Sequence, residues 1–235
     1  MKQLLFRIYE QAVKLNKRNI LDMLDHDAAA SLLDLGCDDG EWTTVIGGKI
    51  GTHDLNGVEI VDERIAKAEA KGIRVIKSDL NHPLPFASNQ FDVVHANQVI
   101  EHVADANLFA SEIHRVLKPN GYAIVSTENG SSWHNIFASI MGWQIFSLTN
   151  VSSQCMGIGN PWAMHRGEST PPSWTHKTIF NHRGLIEFFQ VHRFAGIKVV
   201  GAGYHPLPPQ FGRWEARHSH FLTLKAFKQD LNSNE

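Results

Sequence analysis

The chain has 235 residues, 43% of them apolar and 20% charged, enough to bury a large core and unlike the composition of a disordered segment. A formal net charge of −2 offers no general basic surface, so nucleic acid and anionic membranes are not expected partners. Its two cysteines, Cys37 and Cys155, lie far apart without CxxC spacing, which argues against a disulfide framework or a thiolate zinc site and suits a reducing cytoplasm.

Leu4, Leu5, Ile8, Ala12, Leu15 and Asn19 fall near helical spacing, so residues 2–24 read as an amphipathic leading helix. Charges run through this stretch, without the apolar block and cleavage site of a signal peptide. No run of about 18 apolar residues occurs anywhere, so no membrane insertion is expected and the chain is placed in the cytoplasm. Ser31 to Leu35 is a first strand, broken by the turn Gly36-Cys37-Asp38-Asp39-Gly40 and followed by a helix from Glu41 to Lys49. Leu55 to Ile60 is a second strand, Asp62 to Lys71 a charged helix closed by Gly72, and Ile73 to Lys77 a third strand. Phe91 to Ala96 makes a fourth, Ala104 to Leu117 its following helix, and Tyr122 to Thr127 a fifth. Strands that alternate with helices and are apolar throughout imply a parallel sheet covered on both faces, wound right-handed. Beyond Glu128 the composition shifts to Gly, Ser, Pro, Trp and His, which reads as a helical piece from Trp133 to Met141 and an irregular lid. Thr178 to Gln190 returns to helix, and Phe194 to Ala202 and His218 to Phe227 read as final strands.

In an open parallel sheet, ligands bind at the carboxyl ends of the strands. The first strand ends in DLGCDDG, where Gly36 permits a sharp turn and Gly40 close packing of the next helix. A dinucleotide site would show GxGxxG, with pyrophosphate on the helix N-terminus. Here Asp38 holds the second glycine position, and Asp39 and Glu41 add negative charge where a phosphate would sit. That loop favours a ligand carrying an ammonium and a sulfonium, namely S-adenosylmethionine (SAM), over a dinucleotide. Glu59, about 20 residues on at the end of the second strand, is placed to accept ribose hydroxyls. Asp79, just past the third strand, is placed to accept from an adenine amino group.

The stretches LLDLGCDDG, GVEIVDER, SDLNHPLPF, FDVVHANQVIEHV and HRVLKPNGYAIVSTEN stand in the order found in the type 11 class I SAM-dependent methyltransferases, which residues 30–130 resemble. The closing FLTLKAFK is similar to that family's antiparallel last strand. The resemblance implies an α/β fold: a Rossmann-like, doubly wound sheet of seven strands, mostly parallel, with the last strand antiparallel and a lid insertion. On this reading residues 1–235 form one domain, with a leading helix (1–28), a SAM-binding core (29–128), a substrate-selecting lid (129–177) and a C-terminal helix and strands (178–235). It further implies that Asp34, Gly36 and Gly40 line the methionine end of SAM, Glu59 the ribose, Ile60 the adenine face, Asp79 and Leu80 the adenine edge, and Asn97 and Gln98 the sulfur, with Cys37 also among the cofactor-binding residues. The family's usual loop is GCGxG; Asp38 departs from it and leaves the individual amide contacts open.

Methyl transfer from a sulfonium chiefly needs alignment and exclusion of water, with a general base for a hydroxyl acceptor. His102, in IEHV, orients the helix after the fourth strand or acts as that base, and His134, in SSWHN, is expected beside the methyl position. His165 and His176 flank the lid and either face the acceptor or stand exposed in loops. His218 and His220 would share one strand face, but no third ligand is evident, so no metal is assigned. Trp133, Trp143, Trp162 and Trp174 form a small lid core, an aromatic wall for the acceptor, or both. The (N/D)PP(Y/F) element of nucleic-acid amino methyltransferases is replaced by Asn97-Gln98-Val99-Ile100, no cysteine follows proline, and no tyrosine has a lysine four residues on. The expected activity is methylation of a small-molecule acceptor by SAM, releasing S-adenosylhomocysteine (SAH), with O-methylation of a saccharide, lipid-linked or quinone-like metabolite favoured. The alternative is a non-catalytic SAM-binding module.

Overall fold

A computed structural model describes residues 2–229, and the side chains of Leu4 and Leu5 in the expected stripe lie outside those described. The leading helix α1 (Lys2–Met23) buries Ala12, Asn16, Asn19, Ile20 and Met23, positions recurring every three or four residues along one face. The sheet beneath engages the amide nitrogens of its two buried asparagines, although Asn19 Oδ1 stays without a partner. Asn16 Nδ2 donates to Ser126 Oγ at 2.8 Å, and Asn19 Nδ2 donates to the Gly201 carbonyl at 3.0 Å.

Strands β1 (Ser31–Leu35), β2 (Asp54–Glu59), β3 (Arg74–Lys77), β4 (Phe91–Asn97), β5 (Leu117–Glu128), β6 (Phe194–Ala202) and β7 (Phe221–Lys228) form one sheet. Their order is β3-β2-β1-β4-β5-β7-β6, with β7 antiparallel to both neighbours and the other pairings parallel. Alternate residues of each central strand feed opposite layers. Leu33, Val94 and Val125 join Phe109, Ile113 and Phe189 on one face, and Leu32, Val93 and Ile124 join Ile20, Ile46 and Ile50 on the other. Burying each such side chain contributes about 1.5–3 kcal/mol, which is why the central strands read as apolar throughout. The helices covering the sheet are α2 (Glu41–Ile50), α3 (Asp62–Glu69), α4 (Ala106–Val116) and α6 (His182–Val191), with α5 (Trp133–Ile140) in the lid and a short α7 (Phe211–Trp214) after β6.

The differences from expectation lie at element ends. Helix α4 begins at Ala106 because Asp105 is extended and its carboxylate accepts from the amides of Asn107 and Leu108. The last strand begins at Phe221 rather than His218, because the Glu215 carboxylate accepts from the amides of Arg217 and His218 and winds 216–218 into a 3₁₀ turn. Helix α6 starts at His182, four residues later than expected, and β5 reaches back to Leu117. Helix α7 had no periodic signal: four residues are one turn. No described helix is long and apolar enough to cross a membrane.

Candidate functional site

A cleft of about 790 Å³ opens at the carboxyl ends of β1 to β4, around the point between β1 and β4 where the strand order reverses. Nine of the ten residues expected to hold a cofactor line it: Asp34, Gly36, Cys37, Glu59, Ile60, Asp79, Leu80, Asn97 and Gln98. Gly40 does not. Its φ of +78° needs glycine, and a Cβ there would come within 2.5 Å of Ile73 Cδ1 and 2.9 Å of the Ala68 Cα, so its task is to let the loop pack on α3 and β3.

The loop after β1 takes left-handed conformations at Gly36, Asp38 and Gly40, with φ of +74°, +51° and +78°. Glu59 braces it from the end of β2. Oε2 accepts from the Asp38 amide at 3.1 Å, and Oε1 accepts from the amides of Ile60 and Val61 at 2.8 and 3.0 Å. Three donors leave Oε2 with spare capacity for a hydroxyl from the cleft. Asp79 is fixed similarly, accepting from the Asn81 amide at 2.9 Å and from Asn81 Nδ2 at 2.7 Å. Between these acids Ile60 and Val61 are 44% and 40% exposed, an apolar ledge of the size a flat aromatic base covers.

The loop's negative charge is balanced in place, which corrects the view that it repels a phosphate outright. Asp38 pairs with Arg64 and Asp39 with Lys71. Asp34 faces no cation of that kind: Thr43 Oγ1 donates to its Oδ2, and His95 Nδ1 to its Oδ1 at 2.7 Å. Asp34 and His95 are directly paired residues of β1 and β4, so the register brings them to the same face. Burial beside Asp34 and Glu59 pushes the Cys37 thiol up to about 12, so it is a packing residue, pressed against Gly57, where a Cβ would lie 2.5 Å from Sγ.

Several cleft residues carry no motif and escape sequence reading. Lys17, from α1, sits over the Trp42 ring at 4.8 Å, and His95 hides within an apolar strand. The buried Trp42 Nε1, His95 Nε2 and Gln98 Nε2 all lack protein partners. Two orphaned donors, Trp42 Nε1 and Gln98 Nε2, and one orphaned acceptor, His95 Nε2, beside an apolar ledge and free carboxylate capacity fit a cofactor with both a flat base and a polar tail.

The lid closes the open side with Asn150, Met156, Thr170, Pro172, Trp174 and Lys177. The amides of Lys177 and Thr178 donate to the Glu101 carbonyl, and Arg64 lies 5.4 Å from the Trp174 ring. The other lid tryptophans split between tasks. Trp143 and Trp162 pack with Phe137, whereas Trp133 stacks on His218 with centroids 4.5 Å apart.

Of the two histidines expected to act in catalysis, only His102 lines the cleft. Its Nδ1 lies 3.2 Å from the Thr175 carbonyl and donates to it, leaving Nε2 as acceptor; burial, aided by His176, lowers its pKa to about 4. His134 is a correction. It stands outside the cleft lining, and its ring packs with His205 and His220 instead. The histidine pair expected on one strand face is a second correction: His218 donates to Glu215 from the 3₁₀ turn, and His220 meets His134 and His205 instead.

Residues 33–125 match the methyltransferase-domain family. Over 125 residues the chain is 34% identical to a bifunctional methionine biosynthesis protein of Rhodopirellula baltica, a match covering 50% of this chain and 19% of that protein. It is 36% identical over 103 residues to a ubiquinone biosynthesis O-methyltransferase of Azorhizobium caulinodans, covering 42% of this chain and 40% of the relative. The chain thus spans well under half the length of these two curated relatives. A solved SAM-dependent methyltransferase from Thermotoga maritima superposes with a TM-score of 0.64 at 17% identity, covering 95% of this chain and 92% of that one.

Proposed function

We propose that this chain, which carries a class I SAM-dependent methyltransferase domain, uses the cleft between its β-sheet and its lid to methylate an oxygen of a small, quinone-like acceptor. One observation carries the reading. The cleft combines acceptors for an adenosine (Glu59, Asp79), an apolar ledge for its base (Ile60) and unpartnered donors further along (Trp42, Gln98), and the lid covers it with one aromatic ring, Trp174, beside Met156 and Pro172. Likeness to the quinone-pathway enzyme supports the acceptor class.

When bound, SAM supplies a methyl group already activated by its sulfonium. The chain's part is alignment, exclusion of water and, for a hydroxyl acceptor, removal of one proton. Asn97 is held by Asn16 Nδ2, which donates to its Oδ1 at 3.2 Å, and so presents a fixed wall at the end of β4. Gln98, with φ of +57°, brings a buried, unpartnered side-chain amide to the lining of the same cleft. His102, with Nδ1 committed to Thr175, presents Nε2 as proton acceptor. Lys17 supplies positive charge for a carboxylate at the methionine end.

Calorimetry with SAM, SAH and NAD tests the cofactor: both adenosyl compounds bind, Glu59→Ala weakens them by at least about tenfold, and NAD gives no heat. Incubation with demethylated quinols and catechols, followed by mass spectrometry, tests the acceptor. Gain of one methyl per turnover, slowed in His102→Ala with SAH affinity retained, is the expected result. Binding of SAH with no mass gain across the panel would favour the non-catalytic module.

A further inference from the structure

Outside the cleft, three histidines from distant parts of the chain converge. His134 lies in the first turn of α5, His205 in the segment between β6 and α7, and His220 just before β7. Their ring centroids are 5.2 Å (His134–His205), 4.4 Å (His134–His220) and 5.2 Å (His205–His220) apart. Each offers a ligand atom within 4.8 Å of those of the other two, and the Nδ1 of all three is buried without a hydrogen-bond partner. We infer that His134, His205 and His220 form a binding site for one divalent transition-metal ion, zinc fitting best, which ties the lid helix α5 to the β6–β7 edge of the sheet.

Three orphaned ring nitrogens at one point are costly unless something accepts their lone pairs. A buried polar atom left without a partner costs about 1–3 kcal/mol. A neutral imidazole keeps one ring nitrogen with a free lone pair for a ligand. Ser132 Oγ lies 3.3 Å from His134 Nε2 and can accept its proton, which leaves Nδ1 as the ligating atom, the arrangement that outer partners commonly impose on metal-bound histidine. Around them stand Tyr9, 5.6 Å from His220, and Phe146, 5.5 Å from His134, a largely aromatic shell.

Tetrahedral zinc with bonds of about 2.0–2.1 Å needs ligand nitrogens about 3.3 Å apart. Closing from 4.8 Å needs each ring to move by about an ångström or less. Three neutral imidazoles without thiolate or clustered carboxylates suit zinc and its neighbours among the late divalent ions, not magnesium or calcium. With three protein ligands the fourth position is open to water. A second cluster, Glu101, His102 and His176, also draws ligand types together, but neither of its imidazoles has a buried ring nitrogen without a partner: His102 Nδ1 meets the Thr175 carbonyl and His176 Nδ1 the Ser147 carbonyl.

The test uses the full chain, stripped with a chelator and titrated with cobalt(II) in the absence of SAM. Expected is one equivalent bound, with the intense visible absorption of a tetrahedral site, bleached when zinc displaces cobalt, and a melting temperature raised by zinc. His134→Ala, His205→Ala and His220→Gln each weaken binding by at least about 100-fold, more than loss of an outer partner costs, whereas His176→Ala retains it. Absence of a tetrahedral, one-to-one complex in the unaltered chain overturns the inference, as does binding retained in all three variants or lost in His176→Ala alone. Should a variant fail to fold, the unaltered chain still decides. Zinc must shield these three histidines from diethyl pyrocarbonate, read by peptide mass, and equal modification with and without zinc overturns the assignment.

Discussion

Glu101 is fully buried under the lid, where Thr127 Oγ1 donates to its Oε2 at 2.9 Å and Oε1 has no partner. Burial, reinforced by the nearby charge of Glu128, raises its pKa to about 8 from an ordinary 4.5. The folded state therefore holds a proton that the unfolded chain has already released between those values. Its stabilising contribution is full below the unfolded pKa and is lost as pH rises through the folded one. Glu101→Gln mimics the protonated acid and removes this loss. Urea midpoints at pH 5, 6.5 and 8 should show the variant gaining on the parent as pH rises; parallel pH dependences would show that Glu101 ionises normally. At this scale sequence reading is uneven. Glu59 and Asp79 announce themselves at the ends of successive strands and Asp34 only through the family resemblance, but Glu101 and His95 sit in apolar runs, and only the fold tells whether their carboxyl or imidazole meets water.

Elements end where side chains compete for the backbone. The Asp105 carboxylate satisfies the amides of Asn107 and Leu108, which would otherwise be orphans of the first turn of α4. Asp105→Ala should cost about 1 kcal/mol in equilibrium unfolding while leaving SAH affinity unchanged, since Asp105 does not line the cleft. A cost below a few tenths would mean that water replaces the cap. The apolar period located the helix to within two residues, because burial of Phe109 and Ile113 dictates its phase, but the expected start at Ala104 gave way to Ala106 once Asp105 took the capping position. Glu215 acts in the same way at the 3₁₀ turn before β7, and there the consequence was larger: it removed His218 from the strand face and left His220 to other partners.

For the whole molecule, the cleft joins segments spread from Lys17 to Lys177, so a ligand filling it bridges α1, the strand ends and the lid. SAH at about 100 times its dissociation constant should stabilise the fold by about 2.7 kcal/mol, a rise in melting temperature of about 5–11 °C for a chain of this size. No shift under SAH would remove the cleft as a cofactor site. The order of strands and helices, the glycine turn after β1 and the acidic residues ending β2 and β3 were all legible beforehand, because burial of alternating faces and the need for positive φ act locally on the chain. Three things were decided only in three dimensions: the neutralisation of Asp38 and Asp39 by Arg64 and Lys71, the placing of His102 within the cleft and His134 outside it, and the meeting of His134, His205 and His220. Each depends on which distant side chains share a space, and no pattern of spacing records that. Backbone order is a local property of this chain, whereas its charge balance and its histidine chemistry are properties of the closed fold.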